Sequence, residues 1–232
     1  MGRRENIHLK TVELFSSLTD EELTSIDKRL VVKRFRKNEV ILHEEDTHEY
    51  MYIILSGKVR VIQITEEGKE ILLAIHQAGE LFGEMALIDG KTSPATVVAT
   101  EDCTVNIISK KEFYSSIYTQ KKILDNLLHI LCSRLRESWG TIQMLNLKNA
   151  SERIKILFFM LSNKYGKSTT EGITLHIKLT HKDIAEMSGM TRETVTRVID
   201  KWQKDGEINI LSNKYIQVKW GLLTEGFKPL TQ

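Results

Sequence analysis

The sequence predicts an α+β chain in three successive parts: an N-terminal β-roll, one long helix, and a C-terminal unit of short helices closed by a hairpin. Three observations predict it. Residues 30–109 hold short runs rich in Val and Ile between polar turns, residues 124–145 hold an apolar seven-residue repeat, and residues 179–199 hold two helical patterns broken by a glycine.

The first element is a short helix, opened by Thr19-Asp20-Glu21-Glu22 and carrying Leu23, Ile26 and Leu30 at helical spacing. The period then changes. VVKRFRKNEVIL, YMYIILSGKVRVIQI, KEILLAIHQAGELFG, SPATVVA and CTVNIIS are strand-like, with turns at Lys37-Asn38, Ser56-Gly57, Glu67-Gly68, Ala78-Gly79 and Asp89-Gly90. About 80 residues is short for an immunoglobulin-like sandwich and suits a compact roll.

Next, Leu124, Leu128, Leu131, Leu135, Ser138, Ile142 and Leu145 step alternately by four and three. Such a helix either packs on its own domain, with Leu127 and Ile130 flanking the stripe, or pairs with a second copy as a parallel coiled coil. A stripe held for about three heptads favours the dimer. Asn149-Ala150-Ser151-Glu152 caps a helix over 153–163 and marks a hinge. A polar loop over 165–172 precedes a strand, ITLHIKL; INIL and YIQV then flank Ser212-Asn213-Lys214 as a hairpin. The expected domains are a roll over 1–119, a dimerisation helix and hinge over 120–148, and a C-terminal domain over 149–232.

Composition narrows the class. With 41% hydrophobic and 28% charged residues the chain is globular, not disordered or collagen-like. No run approaches the roughly 20 apolar residues of a membrane helix, and MGRRENIHLK lacks the apolar core of a leader. Two cysteines, Cys103 and Cys132, make neither a disulfide framework nor a four-ligand metal site. A reduced, soluble, cytoplasmic protein without a bound metal is expected. With only Pro94 and Pro229, no Pro-rich linker separates the domains. The net charge is +2, so any nucleic-acid contact relies on local positive charge.

The segment 179–199 carries the functional signal. Ile184, Ala185 and Met187 pack one helix, Gly189 permits a sharp turn, and Thr191 caps a second helix buried through Val195, Val198 and Ile199. This helix-turn-helix leaves Arg192, Glu193, Thr196 and Arg197 facing out. In such modules the start of the second helix enters the major groove. Arginine can hold guanine O6 and N7 in a fork, and glutamate can accept from cytosine N4. The plain alternative is a solvated face with a Glu193–Arg197 ion pair. The hairpin favours DNA, because it supplies a wing whose tip, Lys214, can meet a phosphate. Between 178 and 219 there are eight Lys and Arg against six Asp and Glu, so affinity rests on a few phosphate contacts doubled by dimerisation.

From 14 to 218 this order of parts resembles the cyclic-AMP receptor protein and fumarate–nitrate regulator (Crp/Fnr) family of bacterial transcription factors. Thr191-Arg192-Glu193-Thr194-Val195-Thr196-Arg197 is very similar to that family's DNA-reading helix. The resemblance implies that Arg192, Glu193 and Arg197 read a TGTGA half-site, while Thr180 and His181 meet phosphates. It further implies a homodimer on a palindrome near TGTGA-N6-TCACA, with half-sites about 34 Å apart. Contact with RNA polymerase is implied for the loop 165–172 and for Glu66-Glu67-Gly68.

The roll is similar to the family's phosphate-binding cassette in its first half only. Gly83-Glu84-Met85-Ala86 matches, and the resemblance gives Glu84 a ribose hydroxyl; the family's Arg-Ser-Ala-Thr reads Ser93-Pro94-Ala95-Thr96. A cyclic phosphate leaving water needs a paired charge. Lys91, two positions earlier, is the only nearby substitute in the segment. On the long helix, Ser138 matches a hydroxyl that meets the base in this family, and Trp139 replaces a smaller hydroxyl residue. Trp139 fills the purine space, stacks on a ligand, or packs the helix against the roll. An effector other than cyclic AMP in the usual mode is therefore expected, acting through Gly83, Glu84, Met85, Ala86, Ser93, Pro94, Ala95, Ser138 and Trp139, with its identity open.

Other classes are trimmed on residues. The resemblance implies that an oxygen-sensing member would hold an iron–sulfur cluster on N-terminal cysteines; residues 1–50 have none, so no cluster is expected. Haem would need His76, Met85 or His129, and single scattered histidines are more often packed or at the surface. Cys103 and Cys132 have no neighbour that marks a low-pKa thiol. A cyclic-nucleotide-binding subunit of a kinase or channel would lack the winged unit and keep the phosphate arginine. No P-loop, GxSxG or HExxH occurs, so an enzyme is not indicated.

Overall fold

The computed structural model describes residues 9–224. The first residues, read above as no leader, and Pro229 both lie outside the described residues. Two compact units, Met1–Ser133 and Arg134–Gln232, meet inside one helix.

In the first unit, two 3-10 turns lead to α1 (Asp20–Asp27). Thr19 starts it: its hydroxyl accepts the Glu22 N–H, and the Glu22 carboxylate accepts the Thr19 N–H at 2.7 Å. That bond, with Lys122 at 3.2 Å, lowers the Glu22 pKa below its ordinary value. The contribution is complete above the ordinary carboxylate range and is lost as pH falls through the depressed value.

Strands β1 (Val31–Phe35), β2 (Val40–Leu42), β3 (Tyr50–Ser56), β4 (Lys58–Ile64), β5 (Glu70–Gln77) and β6 (Leu81–Phe82) precede the short α2 (Glu84–Asp89). β7 (Thr96–Ala99) and β8 (Cys103–Ser109) follow it. They form two four-stranded antiparallel sheets, β1-β8-β3-β6 and β2-β7-β4-β5. Phe35, Tyr52, Ile54, Val59, Phe82, Val97 and Val105 fill one core. The alternate residues Met51, Ile53 and Ile108 face a second core with Leu14, Phe15, Leu18 and Ile26. This is the period-two alternation of strands covered on both faces. α3 (Lys110–Thr119) opens on a Ser109–Glu112 capping box and adds Phe113 to the second core. α4 (Lys121–Leu145) adds Ile123, Leu127 and Ile130.

The second unit holds the rest of α4 and α5 (Ala150–Tyr165), β9 (Gly166–Ser168), β10 (Gly172–Leu175), α6 (His181–Ser188), α7 (Arg192–Lys204), β11 (Ile208–Ile210), β12 (Ile216–Lys219) and α8 (Trp220–Thr224). Its sheet is ordered β11-β12-β10-β9. Ile154, Leu157, Phe158 and Leu161 of α5 are buried, as are Ile184, Val195, Ile199 and Trp202 of α6 and α7. The Phe158 and Trp202 rings lie 6.0 Å apart. Phe158→Ala should destabilise this unit by about 3–5 kcal/mol. Calorimetry should show its transition falling while the β-roll transition stays, and a single shared transition would contradict independent units.

Several expectations need correction. α5 begins at Ala150 and not at 153, because Asn149 Oδ1 accepts the N–H groups of Ser151 and Glu152. The predicted loop over 165–172 contains β9, whose Gly166, Lys167 and Ser168 pair with Leu175, Thr174 and Ile173. Its outward residues are polar, so no alternating pattern announces it. β10 ends at Leu175, short of the predicted ITLHIKL run, where the His176 ring packs at 5.0 Å on Tyr215. Val198 is half-buried and Trp202 takes its expected place. At 100° per residue, Val195, Ile199 and Trp202 centre the buried face and Val198 sits roughly 60° to one side. On α6, Met187 is likewise half-buried and Ser188 is buried.

Candidate nucleic-acid interface and effector cassette

The two helices of the DNA-reading module begin and end where side chains satisfy their free backbone groups. Thr180 caps α6: its hydroxyl accepts the Asp183 N–H at 3.1 Å and donates to the Asp183 carboxylate at 2.7 Å. Gly189 ends it in the left-handed region, φ +64°, which costs a glycine no side-chain clash. Thr191 then caps α7 by accepting the Thr194 N–H at 3.3 Å.

With Val195, Ile199 and Trp202 turned inward, Arg192, Glu193 and Arg197 are exposed on the first two turns of α7. Thr191 is exposed beside them, and Thr196 is half-buried. Thr196 Oγ1 lies 2.9 Å from His181 Nδ1, so these two predicted contacts brace one another across the helices. The exposed Thr180 has its hydroxyl proton on Asp183, leaving an oxygen that can still accept but no free donor for a phosphate. Lys214 sits exposed at the hairpin tip with φ +66°, next to Asn213, whose Oδ1 accepts the Tyr215 N–H at 3.0 Å. The Glu193–Arg197 ion pair of the plain alternative is not formed. Arg197 Nη2 instead donates to Thr194 Oγ1 at 3.5 Å, which leaves both charged groups available to another molecule. An exposed helical ion pair stabilises by only a few tenths of a kcal/mol, too little to hold this geometry.

The apolar stripe on α4 resolves into two faces. Ile123, Leu127 and Ile130 are buried within the first unit, with Leu131 half-buried against them. Leu124 is half-buried as well, whereas Leu128, Leu135, Ile142 and Leu145 are exposed, at 51% for Leu135 and 59% for Ile142. The flanking residues Ile123, Leu127 and Ile130 thus serve the chain's own core, Leu124 and Leu131 of the repeat border it, and the remaining leucines and Ile142 face outward. Ser138 is exposed and donates to the Arg134 carbonyl at 2.9 Å; Trp139 beside it is exposed.

In the cassette, Gly83 adopts φ +80°, and a Cβ there would lie 3.2 Å from the Tyr50 carbonyl and from the His48 and Tyr52 rings. Glu84, Ala86, Ser93 and Ala95 are buried, while Met85 and Pro94 are exposed. Ser93 Oγ donates to the Ala95 carbonyl at 2.9 Å, the Ser93 N–H to Asp46 and the Glu45 N–H to Ser93. The Pro94 carbonyl accepts from Gln63 Nε2 at 2.8 Å. The polar groups of Ser93 and the Pro94 carbonyl are therefore bonded within the roll, and segment 93–95 carries no charged side chain for a cyclic phosphate. Lys91 is exposed, with its N–H on the Asp89 carboxylate. The donor set does not fit a cyclic nucleotide held in that way.

The residues raised for other signals lie on separate elements. His76 of β5 is buried with Nδ1 2.7 Å from the Glu80 carboxylate. Met85 is exposed on α2 and His129 on α4. Burial pushes the Cys103 thiol above its ordinary pKa, and its Sγ donates to the carbonyls of Lys58 and Glu101 at 3.2 Å. Cys132 is exposed, and the two are not joined. Among the described residues no helix is long and apolar enough to cross a membrane.

Comparison with known proteins matches these parts one by one. Residues 32–119 fit the model of a cyclic nucleotide-binding domain, and residues 152–220 fit that of a Crp-like helix-turn-helix domain. A cyclic AMP receptor protein of Thermus thermophilus is 27% identical over 202 residues, covering 87% of this chain and 90% of its own. A global nitrogen regulator of Nostoc is 28% identical over 186 residues, covering 79% and 83%. The solved Thermus thermophilus catabolite activator protein superposes with a TM-score of 0.55 at 27% identity, covering 89% and 93%. A CooA mutant of Carboxydothermus hydrogenoformans shares the fold, with a TM-score of 0.76 at 24% identity over 90% and 91%. Regulators named for different signals match over most of this chain, so what they share with it is the arrangement of both domains.

Proposed function

Because the chain belongs to the Crp/Fnr family of transcription regulators, we propose that it acts as a homodimer on a palindrome near TGTGA-N6-TCACA. The observation that carries this reading is the exposed set Arg192, Glu193 and Arg197 on a capped helix whose opposite face is buried. Arginine forks suit guanine and the carboxylate suits the cytosine amino group, so G·C pairs in each half-site are required. The uncovered seam of α4 supports pairing of two copies, which places two such helices on successive major grooves. Selection from random duplexes tests it: enriched inverted repeats with G·C pairs at half-site centres support it, and repeats without them overturn it.

Control enters through the roll by an effector other than cyclic AMP in the usual mode, a reading supported by Ser93 and its closed hydrogen bonds. Calorimetric titration with cyclic AMP is expected to give no saturable heat. The exposed Glu66-Glu67 turn and the β9–β10 hairpin are surfaces for RNA polymerase. Ser138, a polar residue in an apolar seam, costs coil stability and is a point at which effector control can act. Ser138→Leu is expected to strengthen pairing and yield operator binding without effector. A gel shift that keeps full effector dependence in this variant would count against the coupling.

A further inference from the structure

The geometry assigns a positioning function to Arg153 within the Arg134–Gln232 unit. We propose that its guanidinium clamps the end of the long helix to the turn of the DNA-reading module and so fixes the direction in which α7 is presented. The inference rests on the DNA-binding reading above but concerns a residue that touches no base.

Arg153 lies on the first turn of α5. Its Nε donates at 2.6 Å to the carbonyl of Leu147, in the link that follows α4. Its Nη1 donates at 3.3 Å to the carbonyl of Ser188, the last residue of α6. The Ser188 carbonyl is one of the last of α6, which lack intrahelical partners, and the Leu147 carbonyl lies two residues past the end of α4; a cation is favoured at such negative ends. The planar fork fixes two acceptors at once, which an ammonium on a flexible stem does not.

A second contact meets the first at the same point. A Cβ on Gly189 would lie 3.1 Å from Leu145 Cδ2 and 3.8 Å from Arg153 Nη1. The last residue of α4, the α6–α7 turn and the guanidinium therefore lie close together at this point. Any rotation of α6 and α7 against the end of α4 must break a charge-assisted bond or drive Leu145 into the turn. Nothing in the sequence around Arg153 marks it, since its partners lie 6 and 35 positions away.

The test uses spin labels on the full chain, diluted into excess unlabelled chain so that each dimer carries at most one labelled protomer, in a Cys132→Ser background with Gln143→Cys on α4 and Lys182→Cys on α6, both exposed positions. Arg153→Met keeps the stem and removes both donors; Arg153→Lys keeps a charge and can hold one acceptor. The parent is expected to give one narrow distance, Arg153→Met a broadened or displaced one, and Arg153→Lys an intermediate width. On DNA, the preference for a six-base over an eight-base spacer should fall about tenfold in Arg153→Met. A lowered melting temperature with unchanged distance and spacer preference would show a merely structural residue and overturn the proposal. Arg153→Lys applies the same distance criterion should Arg153→Met fail to fold. If the parent binds no inverted repeat, the DNA reading fails, while the label distances still decide the clamp.

Discussion

Leu135→Glu is expected to turn the protein into a single chain in solution and to lower its affinity for the palindrome by about 100-fold or more. Leu135 is half-exposed on a seam that continues through Leu128, Ile142 and Leu145. A carboxylate there adds like charges across a paired seam but disturbs no core of the protomer, because the buried residues Ile123, Leu127 and Ile130 lie on the other face. Fold and melting temperature of the monomer should therefore persist. Operator affinity falls because two half-sites held together gain 10²–10⁴ through effective concentration, and a single module forfeits it. Sedimentation with anisotropy on full and half operators checks both parts. A variant that remains dimeric would remove the seam as the interface, and a dimer-free parent would remove the two-fold reading.

Arg192→Ala carries the second large effect. Loss of a fork on guanine should cost about 1–3 kcal/mol and relax the requirement at one base pair. The side chain is exposed and bears no structural bond, so stability should change by under about 0.5 kcal/mol. Lys214→Ala serves as the contrast, because a phosphate contact at the hairpin tip weakens all sequences alike and lowers the salt slope by about one. Titrations on the parent operator and on three single-base variants, at several salt concentrations, separate the two. Equal losses on every sequence for Arg192→Ala would reassign it to the backbone.

Much of the interface was legible because it depends on local order. Thr191 and Asn149 announced their helices by hydroxyl and amide caps, and each is seen bonding the N–H two or three residues on; Thr180, read only as a phosphate contact, caps α6 in the same way. The outward set on α7 followed from a 3.6-residue period, with Val195 and Ile199 fixing its opposite face. The cassette was half legible: Gly83 marked the tight start of α2, while the fate of Ser93 depended on Asp46 and Glu45, which lie almost 50 positions earlier. The Glu193–Arg197 pair, weighed as the plain alternative to DNA contact, does not form, since correct spacing for an ion pair does not give it enough energy at the surface.

Capping and periodicity, written within a few neighbouring positions, set the order of elements, the ends of most helices and the residues that α7 turns outward. Long-range packing put Trp202 in the place of Val198, joined 166–168 to the second unit's sheet and brought Arg153 to two carbonyls. Those outcomes depend on partners far along the chain, where no local spacing can specify which face, edge or acceptor will arrive.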